Sequence, residues 1–97
     1  MRIISKKIIR EFCELFPDAT KPLQAWYADA KHASWGDPNA IKSTYKNASI
    51  VSNNRVVFNI KGNTYRLVVA VNYKFSLIYV RFIGTHKDYD KIDVTKI

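Results

Sequence analysis

Cysteine is nearly absent from this 97-residue chain, acidic side chains are scarce, and no long apolar run occurs. Each shortage excludes something. The lone Cys13 forbids an intramolecular disulfide and any zinc site built from cysteines. Its place on an apolar helical stripe makes it a small core residue rather than a nucleophile. No run reaches the length of a signal h-region or a membrane span, so the protein is expected to remain in the reducing cytoplasm and to have no membrane partner. Metal-ligand, P-loop and dinucleotide-binding motifs are missing, and neither a metal nor another cofactor is expected. Repeats, low-complexity segments and linkers are missing too, so residues 1–97 are read as a single domain.

What the chain does have is basic charge and apolar bulk. Sixteen Lys and Arg face eight Asp and Glu, a formal charge of +8, which favours an anionic partner such as nucleic acid. Apolar residues make up 47% and aromatics 13%, enough for a packed core despite the charge.

Helices come first and strands follow. Ile8, Ile9, Phe12, Cys13, Leu15 and Phe16 recur with helical period from Ser5 to Phe16, with Ser5 as a candidate cap and Pro17 as the stop. A second helix is expected from about Lys21 to Ala33, with Thr20 as cap, Pro22 in the first turn and Leu23, Trp26, Tyr27 and Ala30 on one face. Asp37-Pro38 then opens a short helix towards Tyr45. Arg2 to Ile4 is a candidate short strand.

From Ile50 the period becomes two. Arg55–Lys61, Thr64–Asn72 and Ser76–Ile83 read as strands, and Gly62-Asn63 as a two-residue hairpin loop. That loop pairs Lys61 with Thr64, Asn59 with Arg66 and Phe58 with Leu67. The register places Val56, Phe58, Ile60, Leu67, Val69, Val71, Ile78, Val80 and Phe82 on one face, for the helices to cover. The other face carries Arg55, Asn59, Lys61, Arg66, Tyr79 and Arg81, with Val57, Val68 and Ala70 between them. It is expected to be wet and cationic. Arg66 and Arg81 are expected opposite or diagonal to one another, where a bound phosphate would relieve their repulsion. Both arginines splaying into solvent is the competing arrangement. The resulting class is α+β, with N-terminal helices on one face of a small antiparallel sheet.

After Gly84 the chain reads Thr85-His86-Lys87-Asp88-Tyr89-Asp90. Thr85 and Asp88 resemble a capping box, so a short helical turn would carry His86 and Tyr89 to the same side. These residues suit RNA cleavage by the strand's own 2′-hydroxyl. That reaction needs a base for the 2′ proton, stabilisation of charge on the phosphate and an acid for the leaving 5′-oxygen. Arg66 and Arg81 suit the phosphate. His86 suits the acid because histidine titrates near neutrality. Tyr89 suits base stacking or phosphate orientation. Lys61, Arg55, Asn59, Tyr79 and Lys87 are the expected further RNA contacts. The base is open among Tyr89, Asp90 and Lys61. Against these roles stand plainer ones: His86 as a surface capping residue, and Tyr89 as a packed anchor. His32 reads as a surface residue.

Arg55 to Val68, with its Gly62-Asn63-Thr64-Tyr65-Arg66-Leu67 centre, resembles the central hairpin of HigB-family toxins. Tyr79 to Asp93 resembles that family's ending with its Thr-His-x-x-Tyr-Asp core, Thr85 to Asp90 here. Leu23-Gln24-Ala25-Trp26-Tyr27 is similar as well. The resemblance implies a RelE-like fold and mRNA cleavage on the translating ribosome. It also implies neutralisation by a helix-turn-helix antitoxin, HigA, through which alone the toxin would meet operator DNA. It carries the phosphate-binding arginine to Arg66 and puts His86 where RelE-like toxins often have arginine. Those toxins use lysines on the first hairpin strand, where Val57 and Asn59 stand here and only Lys61 is basic. Two rivals remain: a non-catalytic RNA-binding module on the same sheet face, which would need the arginines but not His86, and a small partner protein whose basic face docks an acidic protein.

Overall fold

Proline and aspartate set the helix boundaries of this computed structural model, which describes residues 1–97. Pro17 ends α1 (Lys6–Leu15) and starts a single 3₁₀ turn, Pro17–Ala19, that runs directly into α2 (Thr20–His32). The Asp37 carboxylate accepts the Ala40 amide and Pro38 occupies the first turn of α3 (Pro38–Thr44), as the Asp-Pro pair implies. Two of the other expected caps are not made. Ser5 sits at φ 78° with no side-chain bond to the helix. Thr20 is already inside α2, because the 3₁₀ turn supplies the start.

Five strands follow from the period-two pattern and the extreme N-terminus: β1 (Arg2–Ile4), β2 (Ser49–Val51), β3 (Arg55–Ile60), β4 (Tyr65–Asn72) and β5 (Leu77–Thr85). Their order is β1-β5-β4-β3-β2. The strands β2 to β5 form an antiparallel meander. β1 joins the edge parallel to β5, pairing Arg2 with Leu77 and Ile4 with Tyr79, so the sheet is mixed. Three helices separate β1 from the other strands, and a crossover of that length permits parallel pairing. The edge strand β2 is too short to show a period and was not expected as a strand. A last helical turn, α4 (His86–Tyr89), continues from β5.

The β3–β4 register matches the alternation, with Asn59 opposite Arg66 and Phe58 opposite Leu67. The hairpin loop is longer than expected. Ile60 pairs with Tyr65, so Lys61 to Thr64 form the turn, closed by the Thr64 amide on the Lys61 carbonyl. Lys61 and Gly62 both take left-handed angles, φ 52° and 61°. Lys61 therefore leaves the strand face. Its ammonium reaches Asp18 Oδ2 at 2.5 Å, while the Tyr65 hydroxyl donates to Asp18 Oδ1 at 2.6 Å.

A bulge separates expectation from structure in β5. Val69 faces Val80 but Val68 faces Phe82, so Arg81 is the extra residue and the alternation beyond it is inverted. Ile83, opposite Leu67, takes the core side in place of Phe82. Phe82 goes to the second face, where its ring fills the space above Gly84. A Cβ on Gly84 would come within 2.5 Å of the Phe82 ring.

Eighteen buried residues form the core between helices and sheet, among them Leu23, Trp26, Ala30, Ile41, Val56, Phe58, Leu67 and Ile78. Leu15, expected on the apolar stripe of α1, is instead exposed. Trp26 is fully buried and meets Phe58 edge to face at 5.4 Å. Trp26→Ala is expected to cost ~3–5 kcal/mol, read as a lowered midpoint of denaturant unfolding.

Asp18 links helix and hairpin, and the link is pH-dependent. The Lys61 ammonium first, and the Tyr65 hydroxyl second, hold the Asp18 carboxyl below its usual range. The same bond raises the Tyr65 hydroxyl. A carboxyl depressed by folding stabilises the fold above its unfolded value, and that contribution is lost as pH falls through the folded value. Asp18→Asn should lower Tm at neutral pH, and the deficit should shrink as the solution is taken below the carboxylate range.

The second sheet face is less open than its sequence implies. Val57, Val68 and Ala70 lie on it and are buried, yet do not belong to the helix-side core. The chain after α4 is fixed at both ends of this face. It starts where Tyr89 meets Arg66 at one end of the face. It finishes where Asn53 Nδ2 donates to the Thr95 carbonyl and the Arg55 guanidinium to that of Ile97.

Candidate functional site

Arg66 is the one charged side chain that folding buries, at 9% exposure. No Asp or Glu pairs with it. A buried cation without a counter-ion is costly unless hydrogen-bonded. Here Nη1 alone is satisfied, donating to the carbonyls of Asn63 at 3.0 Å and Tyr65 at 3.4 Å. The rest of the guanidinium fork makes no bond within the protein. The Tyr89 ring lies beside it, 5.9 Å from the guanidinium carbon. Two fixed carbonyls and an aromatic ring thus aim a cation with free donors, an arrangement suited to a phosphate oxygen.

The strand partner of Arg66 is Gly84, two residues before His86. Thr85 ends β5 and caps α4, its Oγ1 accepting the Asp88 amide at 3.2 Å, as the sequence implies. One turn of helix then brings His86 Nδ1 to 3.1 Å from Asp90 Oδ2. Both side chains are more than half exposed, so the pair contributes little to stability. Its consequence is geometric: Nδ1 is engaged, and Nε2 is the nitrogen left for a ligand. The Asp90 carboxylate at i+4 gives the ring an orienting partner. Lys87 is exposed on the same short helix, and Asn59 lies across from Arg66 on β3.

The structure divides the other expected residues. Arg81, expected opposite or diagonal to Arg66, is carried off by the bulge and lies against the Tyr79 ring at 5.5 Å, in a cleft with Arg55. Lys61 is held by Asp18 on the helix side of the hairpin. Phe82, read as core, is the residue that sequence reasoning missed beside Gly84; nothing in its alternation marks the bulge. Arg66 and Tyr89 therefore meet at the end of β4 where α4 carries the His86–Asp90 pair, and Arg55, Tyr79 and Arg81 line a separate cleft.

This arrangement can be set beside known proteins. The HigB toxin family, RelE-like toxic components of toxin–antitoxin systems, matches residues 19–92. The mRNA interferase HigB of Escherichia coli O6:H1 (strain CFT073) is 26% identical over 94 residues, covering 95% of this chain and 91% of that protein. The mRNA interferase toxin HigB of Escherichia coli K12 is 26% identical over 92 residues, covering 93% and 88%. The family match spans well over half of the chain and includes the hairpin and the His86–Asp90 turn. The chain belongs to the HigB toxin family of RelE-like toxins.

Proposed function

We propose that this single-domain chain is a ribosome-dependent endoribonuclease that cuts mRNA through the message's own 2′-hydroxyl. The carrying observation is Arg66, buried with free donors against Tyr89 of the same short helix that holds the oriented His86. The names of the relatives, mRNA interferases, support the substrate class.

In this reading the 2′-oxygen attacks the adjacent phosphorus and the bond to the 5′-oxygen breaks, leaving a cyclic phosphate and a 5′-hydroxyl. Arg66 bonds the non-bridging oxygens and gains most as their charge rises towards the transition state. His86 Nε2 donates the proton that the departing 5′-oxygen needs, while Asp90 holds Nδ1 and steadies the ring. Tyr89 stacks on a base or lines up the phosphate. The 2′ proton goes to Asp90, whose Oδ1 is free of protein bonds, or to the Tyr89 oxygen. Lys61 is engaged by Asp18 and is the poorer base. Because the nucleophile belongs to the substrate, the reaction needs no metal-bound water.

The ribosome would supply what so small a site lacks, a message held with attacking and leaving oxygens in line. The partner would be a HigA-like helix-turn-helix antitoxin in the cytoplasm, which links the toxin to operator DNA. The test is mRNA cleavage in a translation extract, followed by primer extension, with wild type, His86→Ala and Arg66→Ala side by side. Cutting by wild type alone supports the reading. Ribosome binding with every message left intact overturns it in favour of a non-catalytic docking protein.

A further inference from the structure

At the far end of the second sheet face, a shallow cleft gathers positive charge that the reaction above does not use. Arg55 from β3, Lys74 from the β4–β5 turn and Arg81 from the bulge line it, with Tyr79 and Asn72 between them. No Asp or Glu pairs with any of the three cations. Arg55 is already engaged at all three nitrogens, Nε and Nη2 on an Ile97 oxygen and Nη1 on the Asn53 carbonyl, and serves as the wall of the cleft. Lys74 and Arg81 converge with neither a carboxylate nor a carbonyl bound, and like charges this close repel one another until an anion enters. The bulge is what brings Arg81 here, and bulges commonly re-aim a side chain.

The cleft is separate from the reacting phosphate. Tyr79 pairs with Ala70, and Gly84 with Arg66. Four residues of β4 at ~3.4 Å each put about 14 Å between the two rows. One phosphate cannot touch both Arg66 and the cleft, but one extended strand can.

We propose that the cleft is a second, non-catalytic subsite for single-stranded RNA, holding the strand at a distance from the phosphate that is cut. Lys74 and Arg81 contact its phosphates, and Tyr79, backed by Arg81, stacks on a base. Backbone-tracking cations beside an aromatic platform are the general solution for single strands. The inference rests on the RNA-cleaving reading only for where the strand's other end lies.

The probe is an uncleavable all-2′-deoxy strand, so binding is read independently of cutting. Fluorescence anisotropy is measured across a salt series with wild type, the double variant Lys74→Ala/Arg81→Ala, and Tyr79→Ala, each checked for an unchanged melting profile. A strand long enough to cover the face is compared with a dinucleotide. The double variant should bind the long strand ~10-fold more weakly, and its salt slope should fall by about 1.4, since each phosphate contact contributes about 0.7 for single strands. Tyr79→Ala should weaken the long strand ~10-fold with the slope unchanged. The dinucleotide, which cannot span both clusters, should gain nothing from the cleft when it occupies the Arg66 end. Long-strand affinity and slope that survive the double variant, or wild type that does not bind the long strand, would overturn the subsite. A protein that shows these losses but never cuts a message keeps the subsite and loses the enzyme.

Discussion

Arg66→Ala is expected to lower the rate of message cleavage by ~10²–10³-fold or more, the range typical for removing a preorganised charge donor from a reaction centre. The loss should not come from unfolding. Arg66 is buried without a counter-ion and anchored by one nitrogen only. Removing an unpaired buried charge returns its desolvation cost, which offsets the lost packing against Tyr89. Stability should therefore change by no more than ~1 kcal/mol, checked by denaturant unfolding. Arg66→Lys separates charge from geometry. A lysine keeps the positive charge but lacks the planar fork and cannot be held by the two carbonyls while still presenting paired donors. Most of the defect should persist. Full activity in Arg66→Lys would mean that the residue supplies only diffuse attraction for RNA.

His86→Ala is the second large effect, ~10²–10⁴-fold in rate, the usual cost of losing a general acid. Asp90→Asn should produce a loss of about tenfold where Asp90 only holds the orientation and tautomer of the ring, and a loss as large as that of His86→Ala where it also takes the 2′ proton. A leaving group that needs no proton distinguishes an acid from a merely structural histidine. When sulfur replaces the bridging 5′-oxygen at the cut site, His86→Ala should recover most of its rate. Arg66→Ala should not, since charge still builds on the non-bridging oxygens. A His86→Ala defect of equal size on both substrates would make His86 a capping residue of α4 and nothing more.

The local geometry around the candidate site was readable for local reasons. Thr85 and Asp88 bracket a cap within three positions, and one turn of helix fixes which of the following side chains share a side. The β3–β4 register was readable because a one-residue slip would turn Val56, Phe58 and Ile60 out of the core. What was not readable depends on contacts distant in sequence. The bulge at Arg81 leaves the apolar alternation of Ile78, Val80 and Phe82 looking regular, because Phe82 is as acceptable over Gly84 as in a core. Splitting Arg81 from Arg66 follows from that single extra residue. Lys61 is drawn away by Asp18, forty-three positions earlier. The burial of Val57, Val68 and Ala70 has no signal in their own strands, and the C-terminal run that ends on Asn53 and Arg55 has no periodicity of its own. Leu15 shows the limit of periodicity within α1, where the helix packs on a narrower stripe than its apolar content implies.

The central claim is that the message attacks itself. Its most direct measurement uses programmed ribosomes and a message with one 2′-deoxy nucleotide on the 5′ side of the mapped cut. The all-ribose message should be cut to a cyclic phosphate and a 5′-hydroxyl, and the deoxy-substituted message should survive at that position. Cleavage at the deoxy position, or products ending in a 3′-hydroxyl and a 5′-phosphate, would contradict it.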